Sequence, residues 1–295
     1  MGCLSKAAGY IGRFAPSPSG ELHFGSLLAA VAGFLDARSN KGHWLLRIED
    51  LDPVREPPQA AEQILRILEA FQLHWDGPVL YQSQRQHAYQ EALEQLTRLD
   101  LVYPCNCSRQ TIRAMGGIYD GRCRAVGSPR KPCALRLQVP DRIITFHDLI
   151  QGPQQQHLHT ESGDFVILRK DSLFAYQLAV VVDDGFQHIS HIVRGCDLLD
   201  STPRQICLQN LLDLPEPVYA HIPIAVNEQG QKLSKQHFAE PIQASQASRF
   251  LYQALLFLGQ NPASELADAP PSEQLAAAVE RWDIQAVPKL ANIRI

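Results

Sequence analysis

No apolar run in this 295-residue chain is long enough to cross a bilayer, which excludes a helical membrane span. Met1 to Tyr10 carries one lysine and no extended apolar stretch, so it lacks the makeup of a secretory signal. A cytoplasmic protein with no membrane partner is expected. Charge of one sign is scarce: 27 Lys and Arg stand against 31 Asp and Glu, a net of −4. A bulk, sequence-independent nucleic-acid binder would be basic, although a local basic groove for one RNA stays open. The seven cysteines are odd in number and irregular in spacing, which argues against a disulfide framework and for buried thiols or a metal site. Internal repeats and low-complexity tracts are also missing. What remains is an ordinary globular composition, 45% hydrophobic and 20% charged, enough for a sizeable core in one or two domains.

Tyr10 to Ala15 reads as a short strand. Pro16-Ser17-Pro18-Ser19-Gly20 follows, which proline keeps out of a helix interior. Leu27, Leu28, Val31, Phe34 and Leu35 then recur on one helical face. Trp44 to Ile48 is a second strand, ending in the acidic run Glu49-Asp50-Leu51-Asp52. Ile64, Leu65, Leu68 and Phe71 mark a second helix; Ala88, Ala92, Leu93, Leu96 and Leu99 mark a third. Strand alternating with helix predicts an α/β fold, a parallel sheet with helices on both faces. Between Val102 and Gly163 cysteine, proline, glycine and short strand-like pieces such as Ala134 to Leu137 predict an insertion between two halves of that sheet. Phe165 to Leu168 and Leu178 to Val182 return to buried-strand composition. Pro203 to Leu212 and Gln243 to Leu258 read as helices, and the Ala/Pro-rich tail as more helix.

Three stretches carry chemistry. Gly12 to Ser26 is a strand, a proline-stiffened turn and a helix start, and helix N-termini suit phosphate. His23 and Gly25 stand at that mouth, where glycine lets a ligand approach the backbone. Lys232-Leu233-Ser234-Lys235-Gln236 follows a polar, turn-like segment, and its two lysines could clamp a triphosphate as point charges. Alone, each has an ordinary reading: a turn with a surface histidine, and a solvated basic loop. The third stretch is Cys105-Asn106-Cys107 with Cys123 beyond it, three thiolates that could hold zinc and leave a fourth place. Cys3, Cys133, Cys196 and Cys207 read as ordinary thiols.

Taken together, His23-Phe24-Gly25-Ser26 resembles the HIGH signature, and Lys232 to Gln236 the KMSKS loop, of class I aminoacyl-tRNA synthetases. Arg13-Phe14-Ala15-Pro16-Ser17-Pro18 resembles the glutamyl/glutaminyl subgroup. Arg47 to Asp50, Asp164 to Arg169, Ala175 to Ala179 and His191 to Gly195 agree with it. Ser26 and Gln236 depart from the last positions of the two signatures, while Lys235 is retained. Only 59 residues follow Gln236, too few for the anticodon-binding region of a full glutamyl-tRNA synthetase. The resemblance therefore narrows to the glutamyl-queuosine tRNA(Asp) synthetases, shortened paralogues that attach glutamate to queuosine in the anticodon of tRNA(Asp).

That resemblance implies a Rossmann-type catalytic core from residues 1–101 and 164–240. It implies an inserted, zinc-containing acceptor subdomain at 102–163 and a short helical region at 241–295. It implies activation of L-glutamate by ATP, with Mg²⁺ accompanying the nucleotide, and transfer to tRNA(Asp) bearing queuosine, by a monomer. His23, Gly25, Lys232 and Lys235 form the implied catalytic set, with His23, Gly25 and Lys235 on ATP. Arg13, Phe14, Ala15, Pro16, Ser17, Glu49, Tyr176 and Arg194 form the implied glutamate site. Within it Arg13, Tyr176 and Arg194 surround the side-chain carboxylate, and Ser17 and Glu49 hold the α-amino group. A guanidinium offers a carboxylate two parallel bonds but gives an amide NH₂ no acceptor, which favours glutamate over glutamine. Cys105, Cys107, Tyr119 and Cys123 match the zinc pattern, Tyr119 on resemblance alone. Without the resemblance, Arg194 reads as a structural ion pair with Asp197 or Asp200, Tyr176 as a core aromatic, and Glu49 as a strand-end cap. The rival functions are a truncated glutamyl-tRNA synthetase charging tRNA(Glu), a non-catalytic RNA-binding regulator, and another nucleotidyltransferase.

Overall fold

The computed structural model describes residues 9–125, 132–232 and 242–295. The first half runs β1 (Ile11–Phe14), α1 (Phe24–Ser39), β2 (His43–Ile48), α2 (Ala60–Ala70), β3 (Leu80–Tyr81) and α3 (Gln86–Arg98). The middle runs β4 (Val102–Cys105), α4 (Arg109–Ala114), β5 (Ala134–Leu137), β6 (Ile143–Asp148), β7 (Gly152–His157), α5 (Leu158–Glu161) and β8 (Phe165–Leu168). Then come α6 (Tyr176–Phe186), β9 (His191–Gly195), α7 (Thr202–Leu211), β10 (Val218–Ile222) and β11 (Ile224–Val226). The chain finishes with α8 (Ala247–Phe257), α9 (Pro271–Arg281) and β12 (Asn292–Arg294).

Strands β1, β2 and β3 pair in parallel in the order β3-β2-β1. Strands β9, β10 and β6 are also parallel, and β7 closes that sheet as an antiparallel edge. The two runs meet where β9 lies beside β1, with the Ser190 amide donating to the Ile11 carbonyl at 2.9 Å. Strand order therefore reverses at β1, the switch point at which open α/β sheets present a crevice beyond their carboxyl ends.

Helix α1 roofs this junction. Leu27, Val31 and Leu35 are wholly buried, because β1 and β9 lie under the helix and α8 and α9 pack over it. Trp44 of β2 fills the floor, stacked on Phe14 with ring centroids 6.2 Å apart and edge-on to Phe34 at 5.4 Å. The return from α1 needs glycine at position 42, where a Cβ would lie 2.4 Å from the Tyr10 carbonyl oxygen.

Three features differ from the sequence reading. Leu178 to Val182 is not a strand but lies in α6. A helix packed between neighbours on several sides carries a continuous apolar run, which periodicity alone cannot tell from a buried strand. Strand pairing also crosses the edges of the 102–163 segment: β6 bonds to β10 of the main sheet, while β8 pairs with β5 in the small antiparallel sheet β4-β5-β8. The tail after α9 is not all helix, since β12 pairs in parallel with β11. Among the described residues no helix is long and apolar enough to cross a membrane.

Candidate active site

The N-terminus of α1 points at the switch-point crevice. His23 is its N-cap, in extended conformation (φ −118°, ψ 169°), with the ring Nδ1 accepting from the Ser26 amide at 3.3 Å. Facing it, β11 leads into a tight turn in which the Gly230 amide bonds to the Asn227 carbonyl at 2.9 Å. The turn brings Lys232 back against Val226, and its Nζ meets Asp197 Oδ2 at 2.6 Å. Leu233, Ser234, Lys235 and Gln236 lie outside the described residues.

The inner wall is a chain of buried charges. Arg13, at the end of β1, places Nε 3.2 Å from Asp184 of α6, and Arg47 of β2 places Nη2 2.8 Å from the same oxygen. Burial works to raise the Asp184 carboxyl, and the Arg13 and Arg47 guanidiniums outweigh it, holding the group below the usual carboxylate range. Glu49 lies 3.5 Å from Arg47. Burial dominates there, and despite Arg47 and Arg13 it pushes the carboxyl up to about 7. The Glu49 amide donates to the Pro16 carbonyl at 2.9 Å, which pins the Pro16-Ser17 turn to the end of β2. Tyr176 opens α6 half-buried, its phenol pushed above its ordinary range by burial.

Arg194 reaches the crevice from β9. Its Nε meets His221 Nε2 at 3.0 Å, and its Nη2 meets the Thr202 hydroxyl at 2.8 Å and the Leu198 carbonyl at 3.5 Å. Its buried Nη1 has no hydrogen-bond partner among the described residues. No described carboxylate lies within ion-pair distance of it, and Asp197 pairs instead with Lys232. The ordinary reading of Arg194 as half of an ion pair with Asp197 or Asp200 therefore fails.

One crevice of about 520 Å³ gathers many of these groups, while Arg47, Asp184 and His221 stand behind its walls. Arg13, Phe14, Ala15, Pro16 and Ser17 line it from β1 and its turn, and His23 and Gly25 from α1. Glu49, Tyr176, Arg194 and Lys232 line the remaining walls. Residue patterns alone left Asp184, Asp148 and His221 unmarked. Asp184 had a signal, an acid following the apolar stretch Leu178 to Val182. Asp148 and His221 had none, since each lies in a short strand with no motif around it.

The cysteines gather elsewhere. The sulfurs of Cys105, Cys107 and Cys123 lie within 4.8 Å of one another, and Cys107 and Cys123 are 3.7 Å apart. The Tyr119 hydroxyl lies 3.4 Å from Cys105 Sγ and accepts from the Cys123 amide at 3.1 Å. Burial works to raise the Cys105 thiol, but the Tyr119 hydroxyl and Arg136 hold it down at about 7. Buried Asp164 ties together the chain around this cluster, taking two bonds from Arg124 at 2.6 and 2.7 Å, one from the Val139 amide at 3.0 Å and one from the Tyr103 hydroxyl.

A switch-point crevice between a histidine-capped helix and a lysine-bearing turn defines the catalytic domain of a class I tRNA synthetase. Residues 11–258 match the family described as tRNA synthetases class I (E and Q), catalytic domain. The glutamyl-Q tRNA(Asp) synthetase of Pseudomonas aeruginosa is 53% identical over 284 residues, 96% of this chain and 97% of that protein. That of Pseudomonas putida is 51% identical over 96% of each chain. A glutamate tRNA ligase from Elizabethkingia meningosepticum, in complex with its amino acid, superposes with a TM-score of 0.80 at 25% identity, covering 97% of this chain and 67% of that one. The chain belongs to the glutamyl-Q tRNA(Asp) synthetase family of class I synthetases.

Proposed function

We propose that the crevice binds L-glutamate and ATP, joins them as glutamyl-adenylate, and passes the glutamyl group to queuosine in the anticodon loop of tRNA(Asp). The observation that carries this reading is the convergence of Arg13 and Arg194 on one crevice, with Glu49 close by. The side-chain carboxylate of glutamate supplies the partner that Arg194 Nη1 lacks. Glutamine would turn an amide NH₂ toward guanidinium donors. Glu49 and Ser17 take the α-ammonium, and Tyr176 joins Arg13 and Arg194 around the side-chain carboxylate.

The α-carboxylate then attacks the α-phosphorus of ATP. A P–O bond to the glutamyl oxygen forms, and the P–O bond to pyrophosphate breaks. Such transfer is mostly positioning and charge stabilisation. The amides at the α1 N-terminus, beside His23 and Gly25, face the phosphates on one side and Lys232 on the other, and Lys235 supplies a further positive charge to them. Mg²⁺ arrives with the nucleotide. In the second step a hydroxyl of queuosine attacks the activated carbonyl, giving an ester and AMP. We take the protein to act as a cytoplasmic monomer.

We assign a structural zinc ion to the insertion that begins at residue 102, where Cys105, Cys107 and Cys123, with Tyr119 as the fourth ligand, would hold it. Tetrahedral zinc with bonds of about 2.3 Å separates its sulfurs by about 3.8 Å, close to the 3.7 Å between Cys107 and Cys123. The metal would tie β4 to the segment after α4 and takes no part in the reaction.

Glutamate-dependent exchange of labelled pyrophosphate into ATP tests the activation step. Exchange with glutamate and far less with glutamine is expected. Equal exchange with both, or none with either, contradicts the reading.

A further inference from the structure

Behind Arg194 stands a buried pair that no substrate can touch. His221 of β10 and Asp148, at the end of β6, are both wholly inaccessible to solvent, and His221 Nδ1 meets Asp148 Oδ2 at 2.6 Å. The other ring nitrogen, Nε2, faces Arg194 Nε at 3.0 Å. We infer that Asp148 and His221 are positioning residues that fix the tautomer of a buried imidazole and thereby aim Arg194 at the substrate side-chain carboxylate. This rests on the glutamate site proposed above.

An arginine Nε always carries its hydrogen. His221 Nε2 must therefore be the bare, accepting nitrogen, and Nδ1 must carry the proton that Asp148 accepts. A charged ring would set donor against donor, and burial, with the nearby Arg194 charge, pushes the imidazole down to about 4 in spite of Asp148. With Nε held by His221 and Nη2 by Thr202, the guanidinium plane is fixed. Nη1 is left over, buried and unpartnered among the described residues, on a side chain that lines the crevice. The arrangement also keeps Asp148 off the guanidinium, so the arginine charge stays unspent until a carboxylate arrives.

Asp148 is itself held in one orientation. Its Oδ1 accepts from the amides of Ile150, Gln151 and His221 at 3.0, 2.9 and 3.1 Å. In Asp148→Asn those three donors compel the amide oxygen to stay at Oδ1, and the NH₂ then faces His221 Nδ1. The ring must give up its Nδ1 proton and carry it on Nε2, directly against Arg194 Nε–H. A nearly isosteric change at a residue remote from substrate thus pushes Arg194 out of line.

Pyrophosphate exchange with Asp148→Asn, Arg194→Ala and the double variant tests this. Asp148→Asn should lower kcat/KM for glutamate about tenfold to a hundredfold through KM, the scale of one charge-assisted hydrogen bond. The KM for ATP should stay put. In the Arg194→Ala background the same substitution should cost nothing more, because residues that act through one group are not additive. An equal loss in both backgrounds, or an ATP effect matching the glutamate effect, overturns the inference. If Arg194→Ala harms glutamate use and Asp148→Asn does not, the relay alone is wrong. If Arg194→Ala leaves glutamate use unchanged, the pocket reading fails and the relay with it. A second measurement needs no variant: ¹⁵N spectra of histidine-labelled protein at neutral pH should show His221 protonated on Nδ1 and bare on Nε2. The opposite tautomer, or an imidazolium, overturns it.

Discussion

Arg47 and Asp184 meet at 2.8 Å in the floor of the crevice, both almost completely buried. Asp184 is also the anchor for Arg13, 3.2 Å away, so one carboxylate offsets two guanidiniums and fixes the orientation of a residue that lines the crevice. Removing one partner of a buried pair leaves uncompensated charge and costs about 3–5 kcal/mol. Asp184→Ala should therefore lower the unfolding free energy by about that much, read by denaturant titration. Any folded fraction should show a raised KM for glutamate. A loss below about 1 kcal/mol would place the pair among weak surface bridges.

Glu49 sets stability against function. The carboxyl ionises near 4.5 unfolded and about 7 in the fold. Its folded pKa is raised, so the stability linked to its protonation is fully present below about 4.5 and lost as pH rises to about 7. Glu49→Gln removes that titration. The melting temperature of the substrate-free variant should exceed that of the parent by a margin that grows between those two pH values. Glutamate use should fall sharply, because the α-ammonium loses its counter-charge. In the parent protein the KM for glutamate should climb as pH drops below about 7. A flat profile from pH 8 to about 6 would exclude Glu49 as the ammonium partner.

Strand β12 bonds to β11, with the Ile224 amide donating to the Ala291 carbonyl at 3.1 Å and the Ile295 amide to the Val226 carbonyl at 3.0 Å. β11 runs directly into the turn that carries Lys232. Removing residues 292–295 should loosen that turn and raise the KM for ATP severalfold while leaving the KM for glutamate in place. Lys235→Ala should nearly abolish pyrophosphate exchange. Exchange like that of the parent would remove the lysine loop from the mechanism.

Metal analysis of purified protein should give about one zinc per chain, as three cysteines and one further ligand imply. Cys107→Ser should lose most of it, and Tyr119→Phe should weaken retention without abolishing it. Protein free of metal but fully stable would defeat the zinc assignment.

Much of this fold was legible in the sequence for a physical reason. β1, α1 and β2 announce themselves through turn-forming prolines and apolar spacing. Leu178 to Val182 misled because a helix buried on several sides loses its polar face, and its signal goes with it. β12 was invisible because a three-residue strand has no period of its own; only β11 makes it one. In the crevice, Arg13, His23, Glu49 and Arg194 were found through resemblance, each having an ordinary reading by itself. Asp148 and His221 were found only in the structure, because 73 residues of chain separate them and their roles exist only once β6 and β10 lie side by side.

The measurement that bears most directly on the whole account is transfer of labelled glutamate to two tRNA pools, one containing queuosine and one from cells unable to make it. The account predicts label on tRNA(Asp) of the first pool and none on the second. Label on both pools, carried by tRNA(Glu), would contradict it.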